Sequence, residues 1–590
     1  RNRGLTREDI TIPIEFFSTA EKNPTNDVKL TLPLVKDMMT NPLRSDTWLD
    51  SVSMLCNDSL RIIFAKCFDL LRLEKSQRES QYSIYVLDPI KNINELKGFI
   101  KSNNQVGKRE IYNCFTPYEI KYLQQNYLAI FEEEAEDNYA KDIFRYNILR
   151  DSSIEKSRKV VETLSKLIIE PTATSDFRLY HYQTLDLILY IYKYLINYKL
   201  GDLQFEEIDN EFVQGKFLDY IDEDGIRIAI GGPGKNIYTG KFDFIIDLGG
   251  DDIYNIDKPK NDKGVLDGGL SCIIDLAGND YYTTSSDFAL AGGLFSSSFI
   301  FDKAGDDFYE SKGSGNLGAA IGGLGLLYDE KGNDTYKGIS FSIGAGCFGV
   351  GLLVDREGND FYIANSYSQG FGMTEGVGAI IDNKGNDSYL VDSRSLDIGR
   401  YNDHYVSMCQ GYGLGLRPFY AGGIGLIIEG EGNDIYNTDI FGQGGAYWYS
   451  LGAIVDKGGH DKYNGYQYSQ GAGIHLAVGL LKDYDGWDFY QSNGVSQGCG
   501  HDFGYGMLWD VKGNDNYSAY SLSQGAGNAD GIGILIDESG TDGYLNKYPS
   551  NTRGYGNPRR EYGSIGVFLD ASGSDYYSQP GYDSTFINSS

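Results

Sequence analysis

The stretch GAIIDNKGNDSY, Gly378 to Tyr389, carries a phrase, D-x-x-G-x-D-x-Y, that decides how most of the chain folds. It stands at Asp247-Gly250-Asp252-Tyr254, Asp275-Gly278-Asp280-Tyr282, Asp302-Gly305-Asp307-Tyr309, Asp329-Gly332-Asp334-Tyr336, Asp355-Gly358-Asp360-Tyr362 and Asp382-Gly385-Asp387-Tyr389. After a gap it resumes at Glu429-Gly432-Asp434-Tyr436, Asp456-Gly459-Asp461-Tyr463, Asp483-Gly486-Asp488-Tyr490, Asp510-Gly513-Asp515-Tyr517, Asp537-Gly540-Asp542-Tyr544 and Asp570-Gly573-Asp575-Tyr577. Steps between the second aspartates are 28, 27, 27, 26, 27, 47, 27, 27, 27, 27 and 33 residues. A fixed period of this size marks units that bury their apolar faces by stacking on one another, and 27 residues is too short for a propeller blade of about 40.

Before each phrase runs a short apolar segment, as in "FIIDLGG", "GLLVDREG" and "GILIDESG", which reads as a buried strand. A second element, "SQGFG", "SQGAG", "SQGCG" and "SQGAG" from Ser368, Ser469, Ser496 and Ser523, puts glycine where a corner leaves no room for Cβ. The expected fold is therefore a helical N-terminal domain, residues 1–225, followed by a parallel β-helix, residues 226–590, of about 12–13 coils spaced by ~4.8 Å. "IAIGGPGKNIY", Ile228 to Tyr238, reads as a degenerate opening coil with Gly231 and Asn236 at the two aspartate positions.

Composition supports that boundary. Only 6 of 75 glycines fall within residues 1–225. From Lys241 onward 46 acidic residues face 21 basic ones, a net of −25 out of −31 for the chain. Such a domain repels nucleic acid and anionic membranes and attracts cations. The seven cysteines are scattered and never form C-x-x-C, which argues against a disulfide framework or a zinc site. The longest apolar run, near Leu187 to Tyr192, is far short of a ~20-residue membrane span. The first residue is Arg1, so an expected secretory signal is not visible.

Residues 1–220 read as helical, with expected helices over about Thr47–Leu73 and Phe177–Lys199 and capping boxes at Thr116-x-x-Glu119 and Ser152-x-x-Glu155. The segment carries no phosphate loop and no H-E-x-x-H. Its expected task is to cover the open first coil and to dock a protein partner.

Stacking would set the repeated carboxylates in two ladders. Ca²⁺, which takes six to eight oxygens, is one way to offset their repulsion; exposed Asx turns in screening water are the other. "GGDDIY", "AGNDYY", "KGNDTY" and "EGNDFY" resemble the G-x-D-x-U part of the calcium-binding nonapeptide repeats of RTX proteins. The resemblance implies that the paired acidic residues from Asp247 and Asp252 to Asp570 and Asp575 are calcium ligands and that the tyrosines sit at the buried U position. The phrase departs from that family in coming once per 27 residues and usually without the first glycine pair. The whole coil also looks like bacterial β-solenoid proteins of no assigned activity.

The tyrosine column reads as an internal ladder, not an outward aromatic strip. Three stretches break the repeat: Val391 to Gln410, "SQGCGHD" with Cys499, His501 and Asp502, and "NTRGYGNPRRE" with Arg559, Arg560 and Glu561. Using the period as a ruler places His475 and Asp502 on adjacent coils, a spacing that lets an imidazole donate to a carboxylate for acid–base work. His501 is a further candidate for that acid–base role; Tyr447 and Trp448 would supply a stacking face there, with Asn528 and Glu561 extending the polar surface. The function expected from all this is an extracytoplasmic, secreted, periplasmic or surface, structural and interaction module held by calcium. The alternative is a glycan-active or glycan-binding protein on a β-helix scaffold.

Overall fold

The computed structural model describes residues 30–71, 95–96, 98, 114–131, 155–169, 171–197, 203–223, 225–258, 269–397, 400–417, 419–547, 551–558, 563–578 and 585–589. It is a parallel β-solenoid of about 11 turns with a 27-residue period, preceded by a small helical region. The number of turns falls short of the expected 12–13 because the terminal repeats are incomplete: the short third strand of the coil is found from Gly292–Leu294 to Gly527–Asn528 among the described residues. Two compact units divide the chain. The leading unit comprises residues 60–343 and 348–356; the trailing unit comprises residues 1–59, 344–347 and 357–590.

A complete coil of the trailing unit has three strands, for example Leu451–Asp456, Lys462–Asn464 and Gly473–Ile474. Each pairs in parallel with its equivalent 27 residues on: Leu451 with Val478, Tyr463 with Tyr490, Gly473 with Gly500. All six residues of Leu451–Asp456 are buried, and so are those of Val478–Asp483. A strand without polar alternation belongs to a sheet covered on both faces; the inner face meets the core, and helices cover the outer one.

In the leading unit that cover is α5 (Pro171–Ile196), which packs on Leu270–Ile274 and Ser297–Asp302. Buried His181 on α5 places Nδ1 2.8 Å from Ser297 Oγ, and Tyr192 donates to Glu330 at 2.7 Å. α3 (Leu60–Leu70) lies against α5 through Phe64 and Tyr182 and through Asp69 and Arg178. In the trailing unit α1 (Pro33–Thr40) and α2 (Ser45–Ser53) lie on Val478–Asp483 and Leu451–Asp456. Ser45 Oγ is 2.8 Å from Tyr505 Oη, and Lys482 Nζ reaches both Asp46 and Asp50 at 2.6 Å.

Thr116 closes the expected capping box at the start of α4 (Pro117–Asn126): Glu119 N–H donates to Thr116 Oγ1, and Thr116 N–H donates to Glu119 Oε2. The expected helix over 47–73 is two helices, because Met54–Asn57 forms a 3₁₀ turn and Asp58 is extended. That turn sits on Val377–Asp382, with Asn383 Nδ2 donating to Cys56 O at 2.6 Å. Ser152 lies outside the described residues.

The assignment of 1–220 as all-helical needs correcting. β1 (Glu206–Asp209) and β2 (Val213–Glu223) form a hairpin, and β2 pairs antiparallel with β3 (Ile226–Gly231) and with Ile237–Thr239. The hairpin therefore takes the opening strand edge that the helices were expected to cover, satisfying its backbone groups as an edge requires. At the other end Thr585–Ser589 runs antiparallel to Gly573–Ser578. The degenerate opening coil is present as expected: Ile230 pairs with Ile246 and Tyr238 with Tyr254. Asn236 N–H donates to Asp252 Oδ1, and its amide bonds Asp247.

Candidate metal centre and the third edge

The apolar strand of each coil ends in the first acidic residue, the turn brings round the glycine, and the second strand carries the tyrosine. The first acidic residues from Asp247 to Asp537, the second aspartates from Asp252 to Asp575 and the tyrosines from Tyr254 to Tyr544 are buried, while Asp570 and Tyr577 of the last repeat are half-buried. One carboxylate oxygen of the first aspartate caps its own turn, accepting the N–H two residues on at 2.8–3.3 Å for Asp247, Asp275, Asp302, Asp329, Asp382 and Asp456. The other oxygen accepts from the tyrosine of the preceding coil. Tyr282 donates to Asp302 at 2.6 Å, Tyr309 to Asp329 at 2.8 Å, Tyr389 to Glu429 at 2.6 Å and Tyr490 to Asp510 at 2.8 Å. The tyrosine rings stack in an internal ladder, as expected, at 4.4–5.0 Å from Tyr238 to Tyr336 and 4.6–5.1 Å from Tyr362 to Tyr577.

Second aspartates behave differently. Oδ1 accepts the backbone N–H of the preceding second aspartate, as in Asp280 N–H to Asp307 at 2.6 Å and Asp461 N–H to Asp488 at 2.7 Å. Oδ2 is buried and has no hydrogen-bond partner at Asp252, Asp280, Asp307, Asp387, Asp434, Asp461, Asp488, Asp515 and Asp542. A buried carboxylate oxygen left unpartnered is costly, and a column of them calls for protons or cations.

The triads Asp247–Asp252–Asp275, Asp275–Asp280–Asp302, Asp302–Asp307–Asp329 and Asp329–Asp334–Asp355 each bring three carboxylates within 4.8 Å, and the grouping recurs along the chain. Two ionised groups at that distance repel by about 3–4 kcal/mol at an effective dielectric near 20. Burial first, and the neighbouring carboxylates next, push Asp280 up to about 8 and Asp307 up to about 11. For Asp434, pushed up to about 9, burial again comes first and the Asp456 charge second.

The motif glycine completes the arrangement. A Cβ on Gly332 would collide with the carbonyl oxygen of Gly305 and come within 2.6 and 2.8 Å of the two Asp334 oxygens. On Gly385 it would meet Asp387 at 2.5 and 2.6 Å. The absent side chain leaves a cradle between a carbonyl and a carboxylate, both hard oxygen donors. Unpartnered Oδ2 atoms, clustered carboxylates and this cradle fit a divalent cation of the calcium type better than a soft metal, since no thiolate or imidazole joins the clusters named above.

Two further ladders were missed in the sequence reading. Outside the acidic columns, the residue between glycine and second aspartate accepts the N–H of its equivalent on the next coil: Asn279 from Asp306, Asn386 from Asn433, Asn433 from His460. Inside, Gln443 Nε2 donates to Tyr436 O and Asn464 O, and Gln470 and Gln497 repeat the pattern. The "GND" and "SQG" spellings carried both signals.

At the third edge the 27-residue ruler holds. Leu414, Tyr447, Ile474, His501 and Asn528 are in parallel register. His475 Nδ1 contacts Asp502 Oδ2, with the imidazole 24 % and the carboxylate 7 % exposed. The edge of the Tyr447 ring approaches His475 at 5.1 Å, and Trp448, half-buried, has the Arg417 guanidinium 5.3 Å from its ring. Asn528 is buried against His501 and so adds no exposed polar surface. Arg559, Arg560 and Glu561 lie outside the described residues. In the insertion at Val391 to Gln410, His404 bonds Asp439 at 2.7 Å and stacks on Tyr466 at 3.4 Å.

No family model, curated protein or solved structure matches the chain.

Proposed function

We propose that this chain is an extracytoplasmic structural and interaction module whose solenoid is held together by calcium bound along its paired carboxylate columns. The observation that carries this reading is the file of buried, unpartnered Oδ2 atoms. First and second acidic residues from Asp247 and Asp252 to Asp570 and Asp575 would hold the ions, and the glycine carbonyls would add neutral oxygens. Calcium would supply charge compensation between coils, not chemistry. Weak multi-carboxylate calcium sites work where the ion is at ~10⁻⁴–10⁻³ M, which favours a place outside the cytoplasm. Among the described residues no helix is long and apolar enough to cross a membrane. The helices covering the apolar strands leave their outer faces for a protein partner.

Metal content of the purified chain, together with melting in calcium and in excess chelator, tests this reading. We expect bound calcium and a melting temperature lowered by more than 10 °C on chelation. An unchanged melt ends the idea. A second reading, glycan binding or glycan chemistry, is favoured by one contact, that of His475 with Asp502. No nucleophile accompanies it in the described surroundings, so binding is the stronger form.

A further inference from the structure

On one side of the trailing unit a hydrogen-bonded ladder is interrupted by an exposed indole. In the column between the glycine and the second aspartate, Asn359 Oδ1 accepts the N–H of Asn386, Asn386 that of Asn433, Asn433 that of His460 and Asn514 that of Thr541, at 2.9–3.1 Å. Trp487 stands between His460 and Asn514, and an indole has no acceptor to offer the next coil. Trp487 is 60 % exposed, and Phe489, two residues on, is 51 % exposed. Asp488 between them is buried, so both rings stand on the outer side of the coil. A rung without its acceptor and two rings in water both cost stability. In return the indole gains a tilted approach of the His460 ring at 5.7 Å.

The surroundings of the pair are polar. Trp487 N–H donates to His460 Nδ1 at 3.0 Å, so the proton of that exposed imidazole stands on Nε2, a hydrogen-bond donor. Phe489 pairs in register with Lys462 on one side and Asn516 on the other, both exposed, and Asn514 is exposed beside Asn516. We infer that Trp487 and Phe489 form a platform for a neutral saccharide whose ring hydroxyls are equatorial. The flat C–H face of such a sugar lies on the rings, and His460, Asn514 and Asn516 bond hydroxyls at its edge. Size argues against a protein in this place. Two half-exposed aromatic rings offer on the order of 200 Å² of apolar surface, against the ~800 Å² that each partner gives to a stable interface. Charged residues, depleted at the centre of protein interfaces, lie close by: Asp485 and Lys512, both exposed, form an ion pair at 3.3 Å. Charge argues against a polyanion, since 46 acidic residues face 21 basic ones from Lys241 onward. The inference takes its ligand class from the glycan reading above and places it at a different site from the His475–Asp502 contact.

The experiment titrates the full chain, in calcium, with cellotetraose, xylotetraose, chitotetraose and a heparin tetrasaccharide, by calorimetry. Saturable binding of at least one neutral tetrasaccharide is expected, weakened tenfold or more by Trp487→Asn. That substitution returns an acceptor to the ladder, so the melting temperature should hold or rise while binding is lost. Phe361→Ala removes an exposed ring from the column of Phe489 on an earlier coil, where Asn359 keeps the ladder, and should leave binding unchanged. A melting temperature lowered by 5 °C or more in Trp487→Asn would make the indole a structural residue and overturn the platform. Sugar binding that His475→Ala abolishes and Trp487→Asn spares leaves the glycan reading standing and overturns the platform alone. No binding of any neutral sugar overturns both. Tighter binding of the heparin fragment overturns the neutral ligand class. A dimer that sedimentation shows to be dissociated by Trp487→Asn, with no sugar bound, assigns this face to a second copy of the chain and overturns the inference.

Discussion

A tyrosine hydroxyl in one coil and a carboxylate in the next form the smallest unit of this fold, and each depends on the other being buried. Tyr490 donates to Asp510 Oδ2 at 2.8 Å, and Asp510 Oδ1 has no partner. Tyr490→Phe leaves the ring stack in place and strips the remaining oxygen of its donor, so a loss of about 1–3 kcal/mol is expected in denaturant unfolding. A loss below a few tenths of a kcal/mol would mean that the hydroxyl contributes only packing. Titration gives the second prediction at this scale. Burial first, with neighbouring carboxylates behind it, raises Asp515 to about 7 and Asp280, Asp488 and Asp542 to about 8 from an ordinary value of 3.8. A raised carboxyl binds its proton more tightly in the folded chain. Its stabilisation is complete below pH ~4 and is lost as pH climbs through 7 to 8. In chelator the melting temperature should therefore fall between pH 5 and 8. With calcium present, the ion takes the same oxygens, and its stabilising effect should grow over that range. A melt in chelator that rises with pH would contradict the proton-holding columns.

At the scale of elements, the way the helices sit on the strands is the part the sequence concealed. α2 brings Asp46 and Asp50 onto Lys482, a lysine at a position that is apolar in most other coils. The lysine is 4 % exposed and the two aspartates 33 % and 53 %, so solvent screens part of the attraction. Lys482→Ala leaves two carboxylates facing an apolar strand and should cost about 1–3 kcal/mol, read as lost hydrogen-exchange protection over Ser45–Ser53. Unchanged protection would assign the seating of α2 to Ser45, Leu49 and Val52 instead. Apolar runs such as "GAIIDNKG" declared strands, and their lack of alternation declared cover on both faces, but a run of six apolar residues does not say which element supplies the outer cover. The hairpin Glu206–Glu223 escaped for a related reason: its burial alternates weakly, and charged residues fill its outward positions. At the third edge a strict period sufficed to bring His475 to Asp502, whereas the burial of Asn528 against His501 depends on side-chain orientation, which no spacing encodes. The 20-residue insertion before Glu429 hid nothing from the register, since Tyr389 and Tyr436 still stack at 5.0 Å.

For the molecule as a whole, a stacked repeat couples each coil to its neighbours, so the charge state of one rung is felt along the unit that holds it. Cation and proton make the same shape in the folded chain and differ in the sign of what a neutral side chain does. Asp461 sits mid-column in the trailing unit: its Oδ1 accepts the Asp434 N–H at 2.6 Å, its Oδ2 has no partner, and its carboxyl is raised to about 12, by burial first and then by Asp456, Asp483 and Asp434. Asp461→Asn keeps the acceptor for that N–H, turns the unpartnered oxygen into an amide donor facing acidic neighbours, and removes a carboxyl that must be either protonated or metal-bound to be buried. In chelator at pH 8 this substitution should stabilise the chain, by about 1–3 kcal/mol, because a side chain that is ionised in the unfolded chain and must take up a proton to be buried is replaced by one that is neutral in both states. In saturating calcium it should destabilise the chain by a similar amount and lower the number of ions bound, because a ligand has been lost. Thermal melts of the two proteins in both buffers, with metal content measured alongside, read the crossing directly. Stabilisation in both buffers would identify protons, not calcium, as the normal partner of the columns. Destabilisation in both would mean that Asp461 acts through its hydrogen bonds, with charge compensation supplied elsewhere.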